Sequence, residues 1–394
     1  MDLETFHALL TPLGQETLQA AQALEPREEQ FLQHFQVLER RFPGGLARAA
    51  LEIAILRSEA AKKFSQAERL YFTREALEQA SAEKVAAYRS QRYQGFRNVL
   101  DLGCSIGADT FALAAAARGF GLDRDPLRLA MAQANAQALG LSERVGFIQA
   151  DLRSGLPVSP SGLQPGTGTA LFFDPARRAA GRRLFSVEAY SPPLSTITAW
   201  LERFPALGVK ISPGVNLEEI QDYPAEVEFI SLQGELKEAV LWFGPFKTTA
   251  HRATVLPGPY SMEETFSEPL PVEAPKAFLY EPDPSILRAG LVAALGACLG
   301  AVQLDPDIAY LTADHQVSTP FARAWAVRDW FPFTLKRLRT YLRERGIGRV
   351  TIKKRGSPLE PERLQRDLRL EGEAQAVIFL THLRGRPIVV IGEV

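Results

Sequence analysis

The sequence predicts an α/β protein: a doubly wound, mostly parallel sheet, with a helical region before it and a smaller α+β domain behind it. Three observations carry this. From about residue 95 to 248, short apolar runs ending in an acid or a glycine alternate with Ala- and Leu-rich helical stretches. Over residues 1–90, apolar residues recur at helical spacing with few turn signals. Beyond a proline-rich stretch at 249–275, a basic amphipathic segment and two closing apolar runs mark a further domain, 276–394.

At 394 residues the chain exceeds one comfortable core, so two or three domains are expected. An apolar share of 46% and a charged share of 23% are those of a soluble globular protein. The net charge of −1 excludes a uniformly basic nucleic-acid coat, yet residues 331–394 carry +7 and the remainder −8. Cys104 and Cys298 exclude a disulfide framework and a four-cysteine zinc site, which fits a reducing cytoplasm. The opening Met-Asp-Leu-Glu lacks a signal-peptide pattern, and Leu291 to Leu304 is too short and glycine-rich to span a bilayer, so no membrane is expected. Five scattered histidines make no metal-ligand spacing.

In the helical region, Phe31, Phe35 and Leu38 form one apolar stripe and Leu51, Ala54 and Ile55 another. Thr73 reads as the N-cap of a helix running to Ala80, and a second helix begins at Ser81.

The organising stretch is Asn98 to Asp123. Asn98-Val99-Leu100-Asp101-Leu102-Gly103 is a short buried strand entering a glycine turn, Thr110 to Ala117 a helix, and Gly119 to Asp123 the next strand. In such a βαβ unit the ligand lies outside the carboxyl end of the first strand. Gly103 and Gly107 stand four apart, so the dinucleotide G-x-G-x-x-G pattern fails. Asp101 at the strand tip would repel a pyrophosphate but suits a ligand with an ammonium, a sulfonium and an adenosine, namely S-adenosylmethionine. Asp123 closes the second strand, where an acid can accept ribose hydroxyls.

Val99-Leu-Asp-Leu-Gly-Cys-Ser-Ile-Gly107 and Gly121-Leu-Asp-Arg-Asp-Pro126 resemble motifs I and II of class I S-adenosylmethionine-dependent methyltransferases. The resemblance implies a Rossmann-like seven-stranded core over 91–248, with Asp101, Gly103, Gly107, Asp109 and Asp123 at the cofactor. It also implies that Asp151, after the third strand, bonds the adenine. The fourth strand, Thr169 to Phe173, delivers Asp174-Pro175-Ala176-Arg177. Amino-methylating relatives carry Asp/Asn/Ser-Pro-Pro-aromatic there. Asp174 and Pro175 match, while Ala176 and Arg177 remove the second proline and the stacking ring, for which Phe72 or Tyr190 are the candidate replacements. Arg177, Arg178, Arg182 and Arg183 follow directly and suit substrate phosphates. A fifth strand, Leu207 to Ile211, and a hairpin of Glu226–Leu232 with Glu235–Phe243 complete the expected sheet.

Two shorter resemblances extend this. Leu70 to Ser81 is similar to the segment before motif I in the RNA cap guanine-N2 methyltransferases, the trimethylguanosine synthases. Glu281-Pro-Asp-Pro-Ser285 with Arg288-Ala-Gly290, and Ile352-Lys-Lys-Arg-Gly356, resemble the THUMP-like domain fused behind bacterial methyltransferase cores. THUMP domains proper bind structured RNA, which implies an RNA partner, with Lys353, Lys354 and Arg355 beside Arg337, Arg343 and Arg349 as a phosphate patch. The resulting expectation is methyl transfer from S-adenosylmethionine to a nucleobase nitrogen in RNA, with Asp174 and Pro175 orienting the acceptor. A fold-retaining RNA-binding protein without transfer activity and a small-molecule methyltransferase are the rivals. The oligomeric state is not legible.

Overall fold

The computed structural model describes residues 1–156, 168–176, 178–179, 182–183, 186–264 and 268–393. They form two compact units, Met1–Glu226 with Ala239–Thr248, and Val227–Glu238 with Thr249–Val394.

The first unit opens with helices α1 (Leu3–Leu10), α2 (Pro12–Ala23), α3 (Phe31–Leu38), α4 (Gly44–Ala60), α5 (Arg74–Gln79) and α6 (Glu83–Ser90). The caps are local. Thr11 accepts from Gly14 N with Pro12 in the first turn of α2, and Thr73 accepts from Ala76 N at 3.1 Å, as its sequence predicts. Phe6, Leu51, Leu56 and Phe72 are fully buried in the core these helices share.

The sheet of this unit follows: β1 (Asn98–Leu102), α7 (Ala108–Leu113), β2 (Arg118–Asp123), α8 (Pro126–Ala138), β3 (Val145–Gln149), β4 (Thr169–Phe173), the two-residue ribbon β5 (Arg178–Ala179) with β6 (Arg182–Arg183), α9 (Ile197–Leu201) and β7 (Leu207–Ile211). β3, β2, β1, β4 and β7 lie side by side and parallel. The hairpin strands are β8 (Glu226–Leu232) and β9 (Glu235–Phe243), turning on Gln233 and Gly234, both at positive φ. Residues 239–243 of β9 run antiparallel to β7. The order 3-2-1-4-7 with an antiparallel neighbour is that of a doubly wound sheet whose ligand crevice opens at the carboxyl ends of β1 and β4.

The sixth expected strand, β8, groups with the second unit, where it pairs in parallel with β10 (His251–Leu256). β10 in turn pairs with β11 (Tyr260–Glu263). The stretch expected as a linker therefore contains two strands. Pro257 and Gly258 sit in the turn between them, and the turn chemistry masked the strand signal.

The rest of the second unit is a seven-stranded sheet in the order β13-β14-β12-β15-β18-β17-β16. Its elements are β12 (Phe278–Pro282), α10 (Pro284–Arg288), α11 (Val292–Leu299), β13 (Val302–Asp305), β14 (Ile308–Ala313), β15 (Ala322–Pro332), α12 (Leu335–Glu344), β16 (Ile347–Lys354), α13 (Pro361–Leu368), β17 (Ala374–Leu383) and β18 (Arg386–Gly392). The single helix expected over Ile286–Leu299 is broken into α10 and α11, because Gly290 adopts φ +74° after Ala289 caps the first. Along β17, Ala376, Ile378 and Leu380 face α12 and α13, whereas Val377 and Phe379 face a second core with Tyr310 and Trp325. This is the period-2 alternation of a strand buried on both sides. The sheet curls far enough for Lys353 on β16 to pair with Glu281 on β12, with three strands between.

Candidate active site

The carboxyl ends of β1, β2, β4 and β7 bring together Asp101, Asp123, Asp174 and Lys210 within the first unit. Gly103 lets the turn after β1 pass the turn after β4. It has φ +91°, and a Cβ there would stand 2.7 Å from the Asp174 carbonyl oxygen. Gly107, with φ +87°, precedes α7, and its Cβ would meet the Phe111 ring at 2.6 Å.

Asp101 is 1% exposed. Its Oδ2 accepts from Thr110 Oγ1 at 2.5 Å, while Oδ1 has no partner among the described residues. Burial pushes its carboxyl well above the usual range, and the neighbouring Asp109 and Asp174 charges push the same way. Ser105 Oγ is the second buried polar atom of this turn without a partner among the described residues. Asp123 accepts the backbone N–H of Ser105 and of Asp125, each at 2.9 Å, which ties the end of β2 to the turn after β1. Asp151 follows β3, where Ala150 N donates to Asp123 O. Arg153, bonded through both guanidinium and backbone N–H, holds the Asp151 carboxyl down at about 2.

Asp109 faces elsewhere. Its carboxylate pairs with Arg89 of α6 and accepts from Ser81 Oγ at 3.2 Å, a buried arrangement that fastens the helical region to α7. Arg89 also lies over the Phe172 ring at 4.4 Å.

Asp174 Oδ2 accepts from Lys210 Nζ at 2.6 Å, and no described residue donates to Oδ1. Lys210, whose side chain is 4% exposed, also reaches the Gln79 carbonyl at the end of α5, at 3.5 Å. Sequence reasoning missed Lys210. The signal was there: a lone lysine in the otherwise apolar run Leu207-Gly-Val-Lys-Ile is a charge buried in a strand, which needs a partner. Arg89 and Ser105 were missed as well.

Neither expected replacement ring lies open to a substrate. Phe72 is fully buried against Phe64, and Tyr190 is 3% exposed, accepting from Ser212 N at 3.4 Å. Arg178 and Arg183 are backbone partners in the β5–β6 ribbon, as are Ala179 and Arg182, and Arg177 lies outside the described residues. Lys353, Lys354 and Arg355 belong to the second unit. There Lys353 and Arg355 pair with Glu281 and Lys354 with Glu360, so this expected phosphate patch is largely neutralised by its own acids. No group of His, Cys, Asp or Glu among the described residues is arranged to hold a metal ion, and no helix is long and apolar enough to cross a membrane.

A methyltransferase domain profile matches residues 97–163, a THUMP domain-like profile residues 322–393, and a domain of unknown function residues 2–60. Two strains of Mycobacterium tuberculosis each contain an uncharacterized S-adenosylmethionine-dependent methyltransferase that is 35% identical over 354 residues, covering 86% of this chain and 94% of theirs. The chain belongs to the S-adenosylmethionine-dependent methyltransferases. A crystal structure from Porphyromonas gingivalis W83, described as a candidate methyltransferase, shares the fold of this methyltransferase with a TM-score of 0.77. It is 20% identical and covers 93% of this chain and 99% of its own. The similarity to trimethylguanosine synthases has no counterpart in these matches.

The methyltransferase's cofactor is S-adenosylmethionine, and the donor set fits it. A buried carboxyl oxygen at Asp101 with no partner among the described residues suits a cationic group, and glycine at 103 keeps the cradle free of a Cβ.

Proposed function

We propose that this methyltransferase transfers a methyl group to a nucleobase nitrogen in RNA. S-adenosylmethionine supplies the methyl as an electrophile on a sulfonium, so the acceptor needs alignment more than acid–base help. Asp101, Gly103, Gly107 and Asp123 hold the cofactor, with Asp151 at the adenine end. Asp109, committed to Arg89, sets the position of α7 rather than touching the cofactor.

One observation carries the acceptor reading: Asp174, at the end of β4, has Oδ2 fixed by Lys210 and Oδ1 unclaimed among the described residues. An acceptor N–H bonded to Oδ1 leaves its nitrogen lone pair free for the methyl. Pro175, buried after Asp174, stiffens the turn. With Phe72 and Tyr190 buried, the base is held by hydrogen bonds and by contacts to its backbone rather than by a stacking ring from this part of the chain. The arginines 177, 178, 182 and 183 supply cations beyond the site for RNA phosphates. The THUMP domain-like match supports an RNA partner by analogy.

The test pairs calorimetric titration of the protein with S-adenosylmethionine, with Asp123→Ala as control, and a radiolabelled methyl-transfer screen against total RNA and small-molecule amines. Cofactor binding weakened by Asp123→Ala, with label in RNA bases, is the expected result. Binding without any transfer to RNA overturns the substrate reading and favours a scaffold or a small-molecule enzyme.

A further inference from the structure

We infer that the helical face of the second unit, built by α12 and α13, docks the phosphate backbone of double-helical RNA. The inference rests on the RNA reading above and adds to the arginines beyond β4 a second place on the protein where the RNA is gripped.

The two helices cover one face of the β16–β17 part of the sheet, burying Leu338, Tyr341, Leu342, Leu364 and Leu368. Everything they turn outward is polar. Lys336, Arg337, Arg343, Arg345, Arg363, Arg366 and Arg369 are exposed, against the exposed acids Glu344, Glu360 and Glu362 and the half-exposed Asp367. Arg345 lies 3.7 Å from Glu344 and Arg363 4.0 Å from Asp367, both loose surface pairs. Among the described residues no carboxylate lies within ion-pair distance of Lys336, Arg337 or Arg343. The cation surplus of the unit therefore sits on these helices and not at Lys353–Arg355, whose charges are answered by Glu281 and Glu360.

The guanidiniums are also held in place. Arg337 lies over the Phe331 ring at 4.5 Å and Arg345 over the Tyr341 ring at 3.8 Å, at the two ends of an open groove of about 420 Å³ along α12. Arg339 donates to the Asp367 carbonyl at 2.6 Å, which clasps α12 to α13. A guanidinium pinned to a ring loses less side-chain freedom when it meets a phosphate.

The occupant follows from what the face lacks. Phe331 and Tyr341 are 2% and 8% exposed beneath their arginines, so neither ring of these cation–ring pairs is open to stack on an unpaired base, as single-strand binding requires. No large apolar side chain of α12 or α13 is exposed, so nothing inserts into a lipid surface. Fixed forks without stacking platforms or wedges match a regular array of backbone phosphates.

The test measures binding of the full-length protein to a labelled RNA duplex, a DNA duplex of the same sequence and oligo(U), by fluorescence anisotropy over a salt series. The variants are Lys336→Glu with Arg337→Glu, Arg343→Glu with Arg366→Glu as an independent pair on the same face, and Lys62→Glu, an exposed cation of the first unit, as control. The RNA duplex is expected to bind about tenfold tighter than oligo(U). Either double reversal should weaken duplex binding at least about tenfold and lower the salt slope by roughly two, while the control changes neither. Unchanged affinity and slope in both folded double variants overturn the docking face alone. Equal binding of oligo(U), tighter binding of DNA, or flotation with phosphatidylglycerol vesicles in preference to RNA also overturns it. A wild-type protein that binds no RNA overturns the substrate reading with it.

Discussion

Asp174 and Lys210 form a hydrogen-bonded ion pair at the carboxyl ends of neighbouring strands β4 and β7, Oδ2 to Nζ 2.6 Å apart. The lysine is almost wholly buried and the aspartate less so, with side chains 4% and 19% exposed. The pair therefore presents its acid to the crevice and keeps its cation behind.

Asp174→Ala is expected to lower methyl transfer by about 100-fold or more and to change cofactor affinity by less than about threefold. It also leaves the Lys210 ammonium buried without its carboxylate, at a cost of about 3 kcal/mol. Adding Lys210→Met should recover much of that stability and none of the transfer. Urea unfolding of the wild type, the two single variants Asp174→Ala and Lys210→Met and the double variant, alongside single-turnover transfer, checks both halves. Strictly additive stability losses would mean that the pair is not coupled.

The raised Asp101 carboxyl predicts a proton linkage. A cationic ligand beside Asp101 favours its ionised form and pulls the raised carboxyl back down, so over the pH range between the free and bound values cofactor binding releases protons and affinity rises with pH. Calorimetry in two buffers of different ionisation heat reads the proton count. Asp101→Asn should remove the pH dependence. The same sign applies to folding: Asp101 binds its proton more tightly in the native state, so its contribution to stability is full below the unfolded carboxylate value and lost as pH rises through the native one.

Gly103→Ala places a methyl 2.7 Å from the Asp174 carbonyl oxygen at a φ of +91°. Backbone strain of this kind costs about 1–3 kcal/mol. Because the displaced atoms belong to both the β1 and β4 turns, cofactor affinity should fall with stability. A thermal shift of several degrees with unchanged affinity would show that the turn absorbs the methyl away from the cradle.

Arg89 and Asp109 separate structure from cofactor binding. Arg89→Ala strands a buried carboxylate and is expected to cost about 3–5 kcal/mol. Asp109→Asn should lower the unfolding midpoint clearly while moving cofactor affinity little. An affinity loss larger than the stability loss would return Asp109 to the cofactor.

Most of the first unit was legible because its signals are local. Strand tips at Asp101, Asp123 and Asp174 and the Thr73 cap are set by residues within a few positions of one another, as is the Gln233-Gly234 turn of the second unit. Elements went unread where composition pointed the other way, as in the proline-bearing β10–β11 segment and the α10–α11 break at Gly290.

By itself, then, the sequence determined the order of strands and helices, the glycine turn and which acids stand at strand ends, since each depends on backbone preference and periodicity over short spans. The tertiary structure alone decided how charges are partnered. Lys210 meets Asp174 across 36 residues and Lys353 meets Glu281 across 72, because strand order and sheet curl bring them together. A charge in the chain is read from its neighbours in sequence; whether it is spent on an internal partner or left for a ligand is fixed by neighbours in space.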